Sequence, residues 1–472
     1  MEGWCLAPGV SSSGAPTPRV LVSGLASGTG KTTVTAGLLG ALRRRGHRVA
    51  AYKCGPDFLD AQVLGSVAGA PARNLDLWLV DRRTMVEDFR RSAPSGPRAL
   101  SMVEGVMGLL DTRSWGTSTD DIARALGLPV VLVLDASASA ETLALQARGA
   151  RSVLGRRLGG VIVDRAGPGW HARTVRRSLE TQAKVPVLGV LPWEEGVRIS
   201  ERHLGLRTPS TDRGREVRAA LHRAASLVEE QVDLEALTDL AERAPGWLAS
   251  GSPRADALHP RPTRRRTVAV ARDEAFNFLY PENLEALERV GARLRMFSPV
   301  KGEGLPPGTE AVYLPGGYPE LHADRLARNS GLRSELRSWI RDGRPLLAEC
   351  GGMMYLLDRL VDGEGISHRM AGAFPGSTRM GHRLGGFGYV EARSTMRSPL
   401  GPARTRVRGH LYHHSVRTMR REPAWALEVR SRSGGPLRQD GLLSGDAIAS
   451  YLHLRLDAVP PLVERLVHGP ER

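Results

Sequence analysis

The run Val20-Leu21-Val22-Ser23-Gly24-Leu25-Ala26-Ser27-Gly28-Thr29-Gly30-Lys31-Thr32-Thr33 reads as a buried strand, a glycine-rich turn and the opening of a helix. Its chemistry is phosphate chemistry. Small residues let the backbone N–H groups of Ser27, Gly28, Thr29 and Gly30 wrap around phosphate oxygens. The helix N-terminus then adds its dipole through Thr33, Lys31 reaches the terminal phosphates, and the Thr32 hydroxyl can ligate Mg²⁺. In the usual GxxxxGK[ST] spacing a glycine would stand where this chain has Leu25, so strand-turn-helix context carries the assignment. Working outward, short apolar runs at Val20 to Ser23, Val49 to Lys53, Ala99 to Glu104, Val130 to Asp135, Gly160 to Asp164 and Val187 to Leu191 alternate with helical segments such as Thr32 to Arg45, Asp120 to Leu126 and Ala140 to Leu154. Strand and helix in alternation predict an α/β fold with a doubly wound parallel sheet.

The 472 residues leave room for two or three domains at about 150 residues each. Hydrophobic residues are 41% and charged residues 25%, which excludes a disordered or collagen-like chain, and no apolar run approaches the length of a membrane span. A helical stretch, Arg215 to Arg243, precedes the Pro-, Arg- and Ser-rich Ser250 to Arg266. A second series of strands and helices then begins at Thr267 to Ala271, with strands near Ala311 to Leu314 and Pro345 to Ala348, and β-type alternation over Met380 to Val416. The expected organisation is a tail over 1–19, a phosphate-binding domain over 20–245, a linker over 246–266 and a second domain over 267–472. The Ser-, Gly- and Pro-rich tail has no signal-peptide pattern, and three cysteines without a CxxC pair suggest neither a disulfide framework nor a thiolate zinc site. A cytoplasmic location is expected.

Lys and Arg number 66 against 50 Asp and Glu, a net +16 that favours polyanionic partners. Nearly all of that charge is arginine. Only Lys31, Lys53, Lys184 and Lys301 are lysines, and in such a chain a lysine can mark a place that needs a compact ammonium. Lys53 precedes Cys54-Gly55-Pro56-Asp57-Phe58-Leu59-Asp60 at the end of the second strand, and Glu104 opens Gly105 to Asp111 at the end of the third. Ligands bind at the carboxyl ends of parallel strands, where acids can hold Mg²⁺ against nucleotide phosphates and Lys53 can neutralise a transferring phosphoryl group. The plainer reading makes Asp57 and Asp60 caps of a helix or turn.

These two segments, with Asn74-Leu75-Asp76-Leu77-Trp78 and Arg202-His203-Leu204-Gly205-Leu206, resemble the cobyrinic acid a,c-diamide synthase family, including its hydrogenobyrinic acid counterpart, over nearly the whole chain. The resemblance implies a dethiobiotin synthetase-like N-terminal half and ATP-dependent activation of corrinoid carboxylates as acyl phosphates. It suggests Asp57, Asp60, Glu104 and Asp111 for Mg²⁺, nucleotide and substrate: Thr32, Asp57 and Glu104 on the metal side, Lys53, Asp57, Asp60 and Asp111 on the substrate and phosphoryl side. One departure is Asp164-Arg165, where many relatives have Asn before the Arg, with consequences for adenine recognition.

In the second half, Pro345 to Met354 is a strand, a tight turn centred on Cys350 and a helix, the form of a nucleophile elbow. A following helix N-terminus favours the reactive thiolate. This half resembles the class I glutamine amidotransferases. The resemblance makes His453, ending a strand Ser450-Tyr451-Leu452-His453, the base for Cys350. It also makes Pro315 to Glu320 an oxyanion-hole loop, with backbone N–H groups near Gly317 and Gly351 stabilising the tetrahedral oxyanion. Where such enzymes place a Glu two residues beyond the histidine, this chain has Arg455, which cannot accept an imidazole N–H. A backbone carbonyl or another acid must therefore orient His453. His413, in Arg408 to Ser415, is expected near this site.

The whole predicts an amidoligase taking a corrinoid polycarboxylate, glutamine and ATP, with Mg²⁺, needing no specific nucleic acid or membrane and leaving a homodimer open. Other tetrapyrrole amidases, such as cobyric acid synthase, share both modules. The rival from another class is a nonenzymatic partition-type ATPase, disfavoured because Ala26 stands where those proteins carry a second lysine.

Overall fold

A computed structural model of the chain describes residues 17–197, 214–246 and 265–469. All but the end of the expected tail, most of the expected linker and the segment Arg202 to Leu206 lie outside the described residues. The chain divides into two compact units: Met1–Leu77 with Asp81–Pro253, and Trp78–Val80 with Arg254–Arg472.

The first unit runs β1 (Arg19–Gly24), α1 (Lys31–Arg44), β2 (Arg48–Cys54), α2 (Phe58–Ala68), β3 (Arg73–Leu75), α3 (Arg82–Ser92), β4 (Ala99–Glu104), α4 (Thr119–Leu126), β5 (Val130–Asp135), α5 (Leu143–Leu154), β6 (Leu158–Ala166), α6 (Trp170–Ser178) and β7 (Val187–Pro192), and it closes with two further helices, α7 (Arg215–Gln231) and α8 (Leu234–Glu242). The seven strands form one parallel sheet in the order β3-β2-β4-β1-β5-β6-β7. Strands β1, β4 and β5 are buried almost throughout, which explains their unbroken apolar runs. The stretch Arg215 to Arg243, expected as one helical run, is two helices. Val232 leaves helical backbone geometry and the Asp233 carboxylate caps the second helix through the Ala236 N–H.

This topology builds a site. The sheet order sets β2, β4 and β1 side by side, so the turns that leave their carboxyl ends meet; Lys53 on β2 is in register with Glu104 on β4, and Glu104 with Val22 on β1.

The second unit contains β8 (Thr267–Ala271), α9 (Pro281–Arg289), β9 (Arg293–Phe297), β10 (Thr309–Leu314), α10 (Ala323–Arg328), α11 (Ser330–Arg341), β11 (Leu346–Glu349), α12 (Gly351–Leu356), β12 (Leu357–Val361), β13 (Ser367–Arg369), β14 (Phe374–Met380), β15 (Gly386–Ser394), β16 (Arg406–His413), β17 (Ser415–Met419), β18 (Leu427–Ser431), β19 (Arg438–Asp440), β20 (Leu442–Ser444), β21 (Ala447–Ser450), β22 (His453–Leu454) and α13 (Pro460–His468). A six-stranded sheet, β20-β21-β11-β10-β8-β9, is parallel except at β20, and two smaller sheets, β13-β12-β14-β17 and β19-β18-β15-β16-β22, complete the unit. Each unit has its own apolar core. Among the described residues no helix is long and apolar enough to cross a membrane.

Candidate functional site

The glycine-rich turn adopts the geometry its sequence implies. Gly28 and Gly30 have φ of 77° and 85°, and a Cβ on Gly30 would lie 2.0 Å from the Asp164 carboxylate, so both backbone conformation and space require glycine there. Lys31 Nζ donates to the Ala26 carbonyl at 2.7 Å, folding the side chain over its own loop. On the far side of the loop, Arg165 donates to Asp135 at 2.7 Å and to the Gly28 carbonyl at 2.8 Å.

Four of the expected residues, Thr32, Lys53, Asp60 and Glu104, form one cluster. Lys53 Nζ lies 2.6 Å from both Glu104 Oε1 and Asp60 Oδ2 and 3.1 Å from the Gly105 carbonyl, while the Thr32 hydroxyl donates to Glu104 Oε1 at 2.8 Å. Burial alone would weaken the ammonium, but Asp60, Glu104 and Asp57 outweigh it and hold Lys53 above its ordinary range. Burial raises Glu104, and burial together with the Asp60 charge pushes Asp57 up to about 6. Glu104 is fully buried and its Oε2 has no hydrogen-bond partner. That orphaned carboxylate oxygen beside the Thr32 hydroxyl fits a hard divalent cation that phosphate and water would help to ligate.

Asp57 and Asp111 hold backbone. Asp57 Oδ1 caps α2, accepting from Leu59 and Asp60 at 2.8 and 3.2 Å, which is the plainer of its two sequence readings. Asp111 is exposed and accepts from the Gly108 N–H at 2.7 Å, closing the turn after Glu104. Beside Thr33 a pocket of about 140 Å³ is lined by Asp164, Arg165 and Leu191 to Glu194, and burial pushes Asp164 up to about 6.

In the second unit Cys350 stands between β11 and α12 at φ 43° and ψ −102°, a strained turn for a residue with a Cβ, and its N–H donates to the Ser450 carbonyl at 2.7 Å. The elbow is formed, but its expected electrostatics are not. Burial, followed by the Glu320 charge, pushes the thiol above its ordinary range, and the helix after it has only six residues. Burial likewise holds His453 well below the usual histidine value. The resting pair is therefore thiol and neutral imidazole, so deprotonation must accompany attack.

His453 opens the short β22 rather than ending a strand, since β21 stops at Ser450. Its ring fills space left by a missing side chain: a Cβ on Gly316 would lie 2.3 Å from His453 Cε1. A Cβ on Gly351 would lie 3.1 Å from the Gly317 nitrogen, so the turn after β10 abuts the start of α12. Arg455 pairs with Asp457 at 2.7 Å, with both side chains buried.

The histidine that sequence reading missed is His410. It faces His453 in the β16–β22 register, and the two rings stack at 4.8 Å and 23°. Burial lowers His410 to about 3, which keeps it neutral. His413, three residues on, stacks instead on Tyr451 at 3.7 Å and bonds the Ser415 carbonyl at 2.9 Å. Only strand register separates the two, and nothing in Arg408 to Ser415 announces it.

Comparison with known proteins finds a family match for each half of the chain. Residues 20–206 match the CobQ/CobB/MinD/ParA nucleotide binding domain, and residues 267–460 match the CobB/CobQ-like glutamine amidotransferase domain. The chain is 36% identical to a cobyrinate a,c-diamide synthase of Dehalococcoides mccartyi, covering 95% of this chain and 97% of that one. It is 38% identical to a cobyrinate a,c-diamide synthase of Syntrophotalea carbinolica and 37% to a hydrogenobyrinate a,c-diamide synthase of Stutzerimonas stutzeri, in each case over 94% of this chain and 96% of the relative.

Proposed function

The chain belongs to the cobyrinate a,c-diamide synthase family, and from that premise we propose that it amidates the a and c acetate carboxylates of a corrinoid ring in cobalamin biosynthesis, using ATP and glutamine. One observation carries the reading: a single chain joins a phosphate loop beside a lysine-carboxylate cluster to a cysteine elbow with a buried histidine.

In the first unit a substrate carboxylate oxygen attacks the γ-phosphorus of ATP and ADP leaves, giving an acyl phosphate. Ser27 to Thr33 would bind the phosphates and Lys31 and Lys53 would balance the charge that develops, with Asp60 and Glu104 fixing the Lys53 ammonium. Thr32, Glu104 and Asp57 would hold Mg²⁺, which when bound neutralises phosphate charge. Asp111 would shape the turn that faces the substrate. In the second unit Cys350 attacks the side-chain amide carbon of glutamine while His453 takes the thiol proton and passes it to the leaving ammonia. Backbone N–H groups at Gly317 and Gly351 hold the oxyanion, and water then cleaves the thioester to glutamate. Ammonia displaces phosphate from the acyl phosphate to give the amide. The described cysteines, Cys54 and Cys350, are both free, consistent with a cytoplasmic enzyme.

The test gives purified protein ATP, Mg²⁺ and glutamine with cobyrinic or hydrogenobyrinic acid and reads products by mass spectrometry. Two carboxyl-to-amide conversions on one ring are expected, and the ring converted names the substrate; no conversion of either would overturn the assignment. Gly316 supplies a second check. Gly316→Ala must displace the His453 ring, so glutamine hydrolysis should fall about 100-fold while amidation driven by added ammonia is unchanged.

A further inference from the structure

We propose that Glu349 is the positioning residue that sets His453 against Cys350, acting through the backbone of Leu454. The inference rests on the glutamine amidotransferase reading of this unit. Glu349 is the last residue of β11, immediately before Cys350, and is 1% exposed. Its Oε1 accepts from the N–H of Leu454, immediately after His453, at 3.0 Å, and its Oε2 accepts from the Tyr313 hydroxyl at 2.9 Å. One side chain therefore spans the two catalytic positions, rooted beside the nucleophile and gripping the chain beside the base.

A second residue completes the grip. Asn283 of α9 is fully buried, and its amide nitrogen donates to the Leu454 carbonyl at 2.9 Å and to the Tyr313 hydroxyl at 3.1 Å, while its oxygen accepts from the Leu456 N–H at 2.8 Å. Both backbone groups of Leu454 are thus held by side chains. The β22 pairing with β16 and the close approach of the ring to Gly316 add to that constraint on His453. Dehydrating a carboxyl group in a core strand is costly, and an apolar residue would serve packing better; fixing Leu454 accounts for the acid.

The tests use the full-length enzyme. Glu349→Ala and Asn283→Ala should each lower kcat for glutamine hydrolysis by about 10- to 100-fold with little change in KM, since the base is displaced and glutamine binding is not. Alkylation of Cys350 by 6-diazo-5-oxo-L-norleucine should slow in parallel, and ammonia-driven amidation in the same preparation reports that the chain is folded. Glu349→Gln keeps an oxygen to accept from the Leu454 N–H, though its amide nitrogen cannot accept from the Tyr313 hydroxyl, and should restore hydrolysis to within about threefold. Unchanged kcat in Glu349→Ala overturns the proposal, as does a Glu349→Gln enzyme as slow as Glu349→Ala. Absence of any Cys350-dependent glutaminase in the unsubstituted enzyme would instead overturn the amidotransferase reading on which the proposal rests.

Discussion

Cys350→Ala is expected to abolish glutamine hydrolysis and glutamine-driven amidation, by at least about 1,000-fold, while amidation driven by added ammonium salt at pH 8 continues. Among the described residues the second cysteine, Cys54, is buried on β2 in the other unit, where burial pushes its thiol up to about 12. Ammonia rescue follows from the division of labour, because the acyl phosphate forms at the phosphate loop and reacts with ammonia whatever its source. A low-pH assay would hide the result, since ammonium is not nucleophilic. Steady-state rates with glutamine and with ammonia, measured on one preparation, decide it: equal loss of both would break the two-site reading.

Lys53→Met should destabilise the first unit by about 3 to 5 kcal/mol at neutral pH, because it leaves the fully buried Glu104 and the partly buried Asp60 around a missing charge. The loss should depend on pH with a defined sign. Asp57 ionises near 3.8 when unfolded and about 6 in the native protein, and Glu104 moves in the same direction, so the folded state binds more protons across that window and loses stability as pH rises through it. Removing Lys53 carries those native values higher. The deficit of Lys53→Met against the unsubstituted protein should therefore be larger at pH 8 than at pH 5, read as the difference in Tm at the two values. A deficit that shrinks from pH 5 to pH 8 would mean that Lys53 is not the counter-charge of this cluster.

Much of this was legible in the chain before any coordinates. Strands buried on both faces write themselves as apolar runs, as in Val20 to Gly24 and Val130 to Asp135, and a phosphate loop must carry small residues and a lysine in order, so its position and chemistry are local facts. The cysteine elbow is equally local, since a strand, a sharp turn and adjacent glycines sit within ten residues. The break at Val232 and Asp233 was missed because helical composition continues through it and only the Asp233 cap marks the restart.

What the tertiary structure alone decided is which distant side chains meet and in which charge state. Lys53, Asp60, Glu104 and Thr32 come together because the strand order puts β2, β4 and β1 adjacent, and strand order is a long-range choice that no local pattern encodes. His410 rather than His413 lies on His453 because the antiparallel register sets His410 opposite it, and bringing His413 there would take a shift of three residues. Cys350 is held toward the thiol because burial and then the Glu320 charge outweigh the Gly351 N–H, a balance set by how much protein surrounds it. Glu349, an unremarked acid beside a cysteine in sequence, gains a role only when folding brings Leu454 to its carboxylate across 105 residues of chain.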